Sequence, residues 1–341
     1  MKKLIALLLA LMMVLVCTAA LAAGGDDGTV STPPITPGQN ATAEQTITIK
    51  KVYTFNVKDN ATIPADTIKF TVGEGKVTEA TTVTTAPAVT IDDIAITEAA
   101  IGTDTTKEYP LKINLSAYTE VGVYEYEVTE TIGKVVGVTY TPNVYTLKIT
   151  VIRDDKGNLV IGGIALREKN NTKKVDAIEN SFGGGNLTVK KTVTGNMGDR
   201  SKEWTIKVTF TADEGMTVGN TIKYTPVGAD TATSIAAGWT GSKEVELTLK
   251  HNESVTFENL PAGIKYTVVE TNPETSYDEP TGEVKTATAL AAKSAPTVTI
   301  TNNKNIDVDT GVALDFVPYV LIMALVLAGV ALRIYRRRKE Y

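Results

Sequence analysis

Residues 122–130 read Gly-Val-Tyr-Glu-Tyr-Glu-Val-Thr-Glu. Tyr124, Tyr126 and Val128 share one parity, while Glu125, Glu127 and Thr129 share the other. That alternation belongs to a strand with one buried face, because successive side chains of a strand point to opposite sides. Glu130 ends the run on the apolar parity, where a charged group needs a partner. Outward from this stretch the chain repeats the same grammar. Short runs of Val, Ile, Thr and Tyr are separated by Gly, Pro, Asn and Asp, and no long stripe has helical period. Threonine alone supplies 53 of the 341 residues, which is strand composition. The fold class is all-β.

The pattern occurs twice. Ile47-Thr48-Ile49-Lys50-Lys51 opens one half and Leu187-Thr188-Val189-Lys190-Lys191 opens the other. Tyr126-Glu127-Val128-Thr129-Glu130 is matched by Tyr266-Thr267-Val268-Val269-Glu270, and the second lysine precedes the final glutamate by 79 residues in both halves. Each half closes on Ile-x-Asn, at Ile178-Glu179-Asn180 and Ile300-Thr301-Asn302. Gly183-Gly184-Gly185 is the internal boundary, leaving domains at 45–182 and 186–303, each of β-sandwich size. Residues 23–44, rich in Gly, Pro, Ser and Thr, read as a flexible lead-in.

Parity turns all six polar residues of the repeat inward. Lys51 is in phase with Ile47, Ile49 and Tyr53, and Lys191 with Leu187 and Val189. Glu270 follows Ile264, Tyr266 and Val268, and Asn302 follows Val298 and Ile300; Asn180 shares its phase with Ile178 and Phe182 more weakly, because Asp176 breaks the pattern behind them. Chance parity would give that result about once in 64 trials. Unpaired burial of such groups costs several kcal/mol. One chemistry uses all three types. A lysine in an apolar core sheds its proton and becomes a nucleophile, and a carboxyl there keeps its proton more readily and can polarise an asparagine amide through its oxygen. Amine attack on the amide carbon then expels ammonia and leaves a Lys–Asn isopeptide bond, with folding supplying the proximity. The predicted crosslinks are Lys51–Asn180 assisted by Glu130 and Lys191–Asn302 assisted by Glu270.

Composition removes the alternatives. One His and one Cys cannot assemble a metal set or a Ser-His-Asp site, so no metal and no cofactor is expected. Between residues 23 and 310 there are 27 basic and 37 acidic side chains, the wrong sign for nucleic acid. Lys2, Lys3, the apolar run Leu4–Val16 and Ala20-Leu21-Ala22 make residues 1–22 a secretory signal peptide; Val16 before Cys17 argues against lipidation. The exported chain then has no cysteine and no disulfide. Near the other end, Phe316–Leu332 is a 17-residue apolar span followed by the basic tail 333–341, which reads as a membrane segment with its tail in the cytoplasm.

These residues resemble those of the T-antigen type of major (backbone) pilin in the sortase-assembled pili of Gram-positive bacteria. The most specific segments are Gly122–Glu130, Leu187–Lys191 running into Gly198-Asp199-Arg200-Ser201-Lys202, and Thr301-Asn302. Leu260-Pro261-Ala262-Gly263 before Tyr266 is also similar to the collagen-adhesin B-type repeat, a related sandwich. The resemblance covers nearly all of the exported chain and implies two tandem Ig-like domains, each with one self-made Lys–Asn bond. It also implies a sorting region at 304–341 whose motif position holds Asp307-Val308-Asp309-Thr310-Gly311, with Asp309 where the family has proline. A sortase would then cleave after Thr310, and Lys173 or Lys174 of the next copy would take the acyl group. The implied function is a cell-surface pilus shaft subunit with sortase, other copies of itself, accessory pilins and host or community ligands as partners. The other reading is a monomeric wall- or membrane-anchored adhesin built from the same domains. An enzyme is the weakest class, since the bond-forming chemistry turns over once, on the chain itself. Aromatic residues, at 6%, mostly face strand interiors rather than forming an exposed binding patch.

Overall fold

The computed structural model describes residues 38–80, 82–171, 174–307 and 317–338. Its strands follow the alternation. Gly122–Glu130 packs Tyr124, Tyr126, Val128 and Glu130 inward, and its neighbour Val144–Arg153 does the same with Tyr145, Leu147, Ile149 and Val151. These two strands lie in a sheet ordered Gln39–Asn40, Leu159–Glu168, Val144–Arg153, Gly122–Glu130, with Phe70–Val72 and Lys76–Ala80 on the flank of the last. The hairpin turn before Leu159 is set by Asp154, whose Oδ1 accepts from the Lys156 and Asn158 amides, and by Gly157 at φ 84°, a left-handed conformation that suits glycine.

The facing layer consists of Val89–Ile91, Thr106–Leu115, Gln45–Asn56 and the beginning of Ala177–Thr194. Ile47, Tyr53, Leu111 and Ile113 from this layer meet Tyr126, Leu147 and Ile149 from the other. Each fully buried large apolar side chain contributes about 1.5–3 kcal/mol, so the apolar parity of each strand is what holds the layers together. The second half repeats the plan. Ser242–Leu249, Trp204–Thr211, Lys265–Glu270 and Val284–Ala289 form one sheet. Thr233–Ile235, Ile222–Tyr224, Ser254–Pro261, the rest of Ala177–Thr194, and Thr297–Asn303 form the layer opposite. Its core is a separate cluster around Val189, Ile206, Phe210, Phe257 and Val268. The architecture is all-β, two tandem Ig-like sandwiches.

The joint between them differs from a flexible glycine linker. Ala177–Thr194 is one 18-residue strand that passes through Gly183-Gly184-Gly185 without interruption, closing the first sandwich and opening the second. Glycine is needed there for close approach. A Cβ on Gly185 would lie 2.3 Å from the Ser294 carbonyl oxygen, and one on Gly183 would lie 2.9 Å from the Ala292 Cβ. Further contacts cross the joint. The Ala65 amide donates to the Gly219 carbonyl at 2.7 Å, and Val136 inserts into the second core. Asn259, buried and at φ 63°, accepts from the Thr62 amide and donates to Thr62 Oγ1 and to the Thr221 carbonyl. Glu98 accepts from both the amide and the hydroxyl of Thr221.

Part of the expected lead-in is also built into the fold. Gln39 and Asn40 pair with Ile161 and Val160, and Ala41 is fully buried. The signal peptide 1–22 and the lead-in through residue 37 lie outside the described residues. At the other end Val317–Arg338 is a 22-residue helix with its apolar side chains exposed. Its apolar part, residues 317–332, is 16 residues and about 24 Å long at about 1.5 Å per residue, a short span for a bilayer core of about 30 Å, with the flanking arginines placed to reach the interface. The helix continues past the expected apolar span through Arg333 to Arg338; Phe316 and residues 339–341 lie outside the described residues.

Candidate functional site

In each sandwich the strand that carries the lysine and the strand that carries the asparagine lie side by side and parallel. Lys51 is opposite Ile178 and Tyr53 opposite Asn180, while Lys191 is opposite Ile300 and Val193 opposite Asn302. Lysine and asparagine are therefore offset by two residues in both halves, which puts the two inward side chains on the same face. The glutamates come from the opposing sheet, at the final positions of Gly122–Glu130 and Lys265–Glu270. Each triad thus bridges two strands of one layer and one strand of the other.

All six side chains are buried, Lys51, Lys191 and Asn302 at 0% exposure and Glu270, the most open, at 7%. Lys51 Nζ donates to Glu130 Oε2 at 2.7 Å, and Asn180 Nδ2 donates to the second oxygen, Oε1, at 2.5 Å. In the second site Lys191 Nζ donates to Glu270 Oε2 at 2.7 Å, Asn302 Nδ2 donates to Oε1 at 2.8 Å, and Lys191 Nζ also donates to Asn302 Oδ1. One carboxylate in each half therefore spans an amine and an amide. Burial pushes the amines of Lys51 and Lys191 below their ordinary value, and the attraction of Glu130 and Glu270 opposes this only in part.

The amide orientations follow from donor logic. At Asn180 the Thr141 amide donates to Oδ1 at 3.0 Å, so Nδ2 must face Glu130. At Asn302 the lysine donor takes Oδ1, so Nδ2 faces Glu270. The sequence reading placed the carboxyl on the amide oxygen; the structure places it on the amide nitrogen in both halves. The carboxyl is thereby set between the amine that must lose a proton and the nitrogen that must gain one.

Several neighbours were missed from sequence. Tyr53 Oη lies 3.5 Å from Asn180 Nδ2, and Asp66 accepts from Tyr140 Oη at 2.7 Å beside it. Burial holds the Tyr53 hydroxyl in its protonated form by raising its pKa. Lys191 Nζ sits 4.7 Å from the Trp204 ring centroid, and the Glu270 amide donates to Glu283 at 2.7 Å. Tyr53 carried a signal, its shared phase with Lys51. Thr141, Asp66 and Glu283 reach the sites through loops and short segments, which have no periodicity to read. Of the sorting and linkage residues, Lys174 is exposed and bridges to Arg167, and Asp307 is exposed; Lys173, Val308, Asp309, Thr310 and Gly311 lie outside the described residues. Among the described residues no group of His, Cys, Asp and Glu could hold a metal ion.

Residues 39–180 match the family described as a Spy0128-like isopeptide containing domain, and residues 185–304 match a domain of unknown function, DUF7601. Over 299 residues the chain is 30% identical to a pilin of Streptococcus pyogenes serotype M1, covering 81% of this chain and 82% of that protein. The chain belongs to the pilin family. This pilin is also 31% identical over 132 residues to the pilus tip adhesin Cpa of Streptococcus pyogenes, covering 38% of this chain and 18% of the adhesin. Among solved structures it is similar to two major pilins of Streptococcus pyogenes. One is 22% identical with a TM-score of 0.47, covering 79% of this chain and 99% of that one. The other is 23% identical with a TM-score of 0.45, covering 76% and 99%. As a pilin the chain is a structural subunit of a cell-surface pilus, and its C-terminal apolar helix fits an anchoring segment.

Proposed function

We propose that this pilin is the shaft subunit of a sortase-assembled pilus and that each sandwich locks itself with one Lys–Asn isopeptide bond. The observation that carries the reading is the doubled arrangement of one buried glutamate holding a lysine amine on one oxygen and an asparagine amide nitrogen on the other. The chemistry balances. The free amine adds to Asn Cγ and forms the C–Nζ bond; the proton it sheds passes to the carboxylate and from there to Nδ2. The C–Nδ2 bond breaks and ammonia leaves. Glu130 and Glu270 end as they began, so each acts as a shuttle in a single event, and no substrate from outside the chain is involved. Because burial lowers both amines, crosslinking of freshly folded protein should speed up as pH rises through the lowered amine values and level off above them. Mass spectrometry of acid-quenched refolding samples measures this. A rate that falls with rising pH would contradict the free amine as nucleophile.

Polymerisation follows from the termini of the sandwiches. Thr310 lies eight residues after Asn302, and Lys173 and Lys174 lie just before Asn180. A sortase cysteine holding the Thr310 carbonyl would pass it to one of these lysines on the next copy, with tip adhesins and accessory pilins added to the same polymer. Cells expressing Lys173→Arg with Lys174→Arg should lose the detergent-resistant ladder of covalent oligomers while keeping monomer at the surface. An unchanged ladder would place the junction on another lysine, and a single band in the unmodified protein would favour the monomeric adhesin.

A further inference from the structure

We infer that the main-chain N–H of Thr141 is an oxyanion donor for closing the first crosslink, and that the second site closes without such a donor. The inference rests on the crosslink reading of the two triads and separates them. At the first site every polar atom of the Asn180 carboxamide is already engaged: Nδ2 by Glu130 and Tyr53, Oδ1 by Thr141 N at 3.0 Å. When Lys51 Nζ bonds to Cγ, the carbonyl π electrons move onto Oδ1. As the C–Nδ2 bond breaks and ammonia departs, that charge returns to form the new amide carbonyl. A fixed donor facing Oδ1 in a dry site strengthens as this charge develops.

The donor is well held. Val138 and Thr139 pair antiparallel with Phe182 and Ser181, so the chain runs beside the strand that carries Asn180. Tyr140 Oη donates to Asp66 and accepts from the Val135 amide, Thr141 Oγ1 accepts from the Asn143 amide, and Thr141 is itself buried. At the second site the Asn302 oxygen faces Lys191 Nζ, the attacking group itself. That contact is given up as the amine loses its proton and adds, and among the described residues no main-chain N–H stands in its place.

The test replaces Thr141 in the full chain by its α-hydroxy analogue, turning the N–H into an ester oxygen, and follows ammonia loss at each site by intact mass and peptide mapping. The first crosslink should form about 10²–10³-fold more slowly, the usual cost of losing one oxyanion donor. The second should keep its wild-type rate and so report that the chain has folded. Thr141→Ala keeps the N–H but loses the Oγ1 that accepts from the Asn143 amide, so it should slow the first site far less than the ester does and leave the second unchanged. A first site that closes at the wild-type rate in the ester protein, or is slowed as much by Thr141→Ala, overturns the inference. If the ester protein does not fold, the Glu130→Ala chain decides the matter by NMR: the Thr141 amide nitrogen should couple through its hydrogen bond to the unreacted Asn180 Cγ, and the absence of that coupling overturns it. Wild-type protein that loses no ammonia at either site overturns the crosslink reading underneath, and this inference with it.

Discussion

Protein carrying Glu130→Gln with Glu270→Gln should melt on the order of 10–20 °C below wild type, since domains between the 100- and 150-residue size classes change by about 4 °C per kcal/mol. The estimate comes from the loops that the bonds close. Lys51 to Asn180 spans 129 residues and Lys191 to Asn302 spans 111. By analogy with a disulfide, closing a loop of about 100 residues removes about 4–5 kcal/mol of denatured-state entropy. Glutamine keeps the volume of the side chain but cannot ferry a proton, so it blocks bond formation with little change in packing. The wild-type advantage should persist in thiol reductant, because an amide is not a redox couple. Trypsin should cut the variant and spare the wild type. A Gln variant that lacks both bonds yet melts and resists protease like wild type would show that the crosslinks do not stabilise the fold.

Under load the two bonds should behave differently, and the difference follows from the continuous strand. If the subunit junction is Lys173 or Lys174, force enters just before Ala177 and runs along Ala177–Thr194. It crosses from Lys191 to Asn302 and leaves through residues 303–310. The Lys51–Asn180 bond lies off this path. Lys191→Ala pulled through Lys174 and residue 310 should therefore release its 111-residue loop, about 370–400 Å of chain at 3.3–3.6 Å per residue. Lys51→Ala pulled the same way should extend no further than wild type, although it should melt earlier. Single-molecule stretching reads both lengths. Long extension from Lys51→Ala would mean that force enters upstream of the first sandwich and that the junction is not at Lys173 or Lys174.

Side-chain parity was sufficient to find the strands that carry the two triads and the faces of those triads, because a strand reports burial through a period of two and a lysine, glutamate or asparagine in the apolar phase stands out against it. The pairing register was not legible. Nothing in Ile47–Tyr53 or Ile178–Phe182 says that these strands run parallel with an offset of two, yet that offset is what aligns Lys51 with Asn180. Gly183-Gly184-Gly185 marks the domain boundary in sequence but not the form of the joint: glycine serves both flexible joints and tight contacts, and only the Ser294 carbonyl and Ala292 beside it tell the two apart. The direction of the Asn180 amide was set by the Thr141 N–H, a main-chain group that no sequence pattern marks.

Intact mass of recombinant protein covering residues 24–303 tests the central claim most directly. Each bond expels one ammonia, so the folded protein should be lighter than its sequence by two ammonia masses, and peptide mapping should join the Lys51 peptide to that of Asn180 and the Lys191 peptide to that of Asn302. Glu130→Ala or Glu270→Ala should each restore one ammonia mass in a chain that remains folded. A wild-type mass equal to that of the sequence would contradict the account, leaving the two triads as buried hydrogen-bonded networks and nothing more.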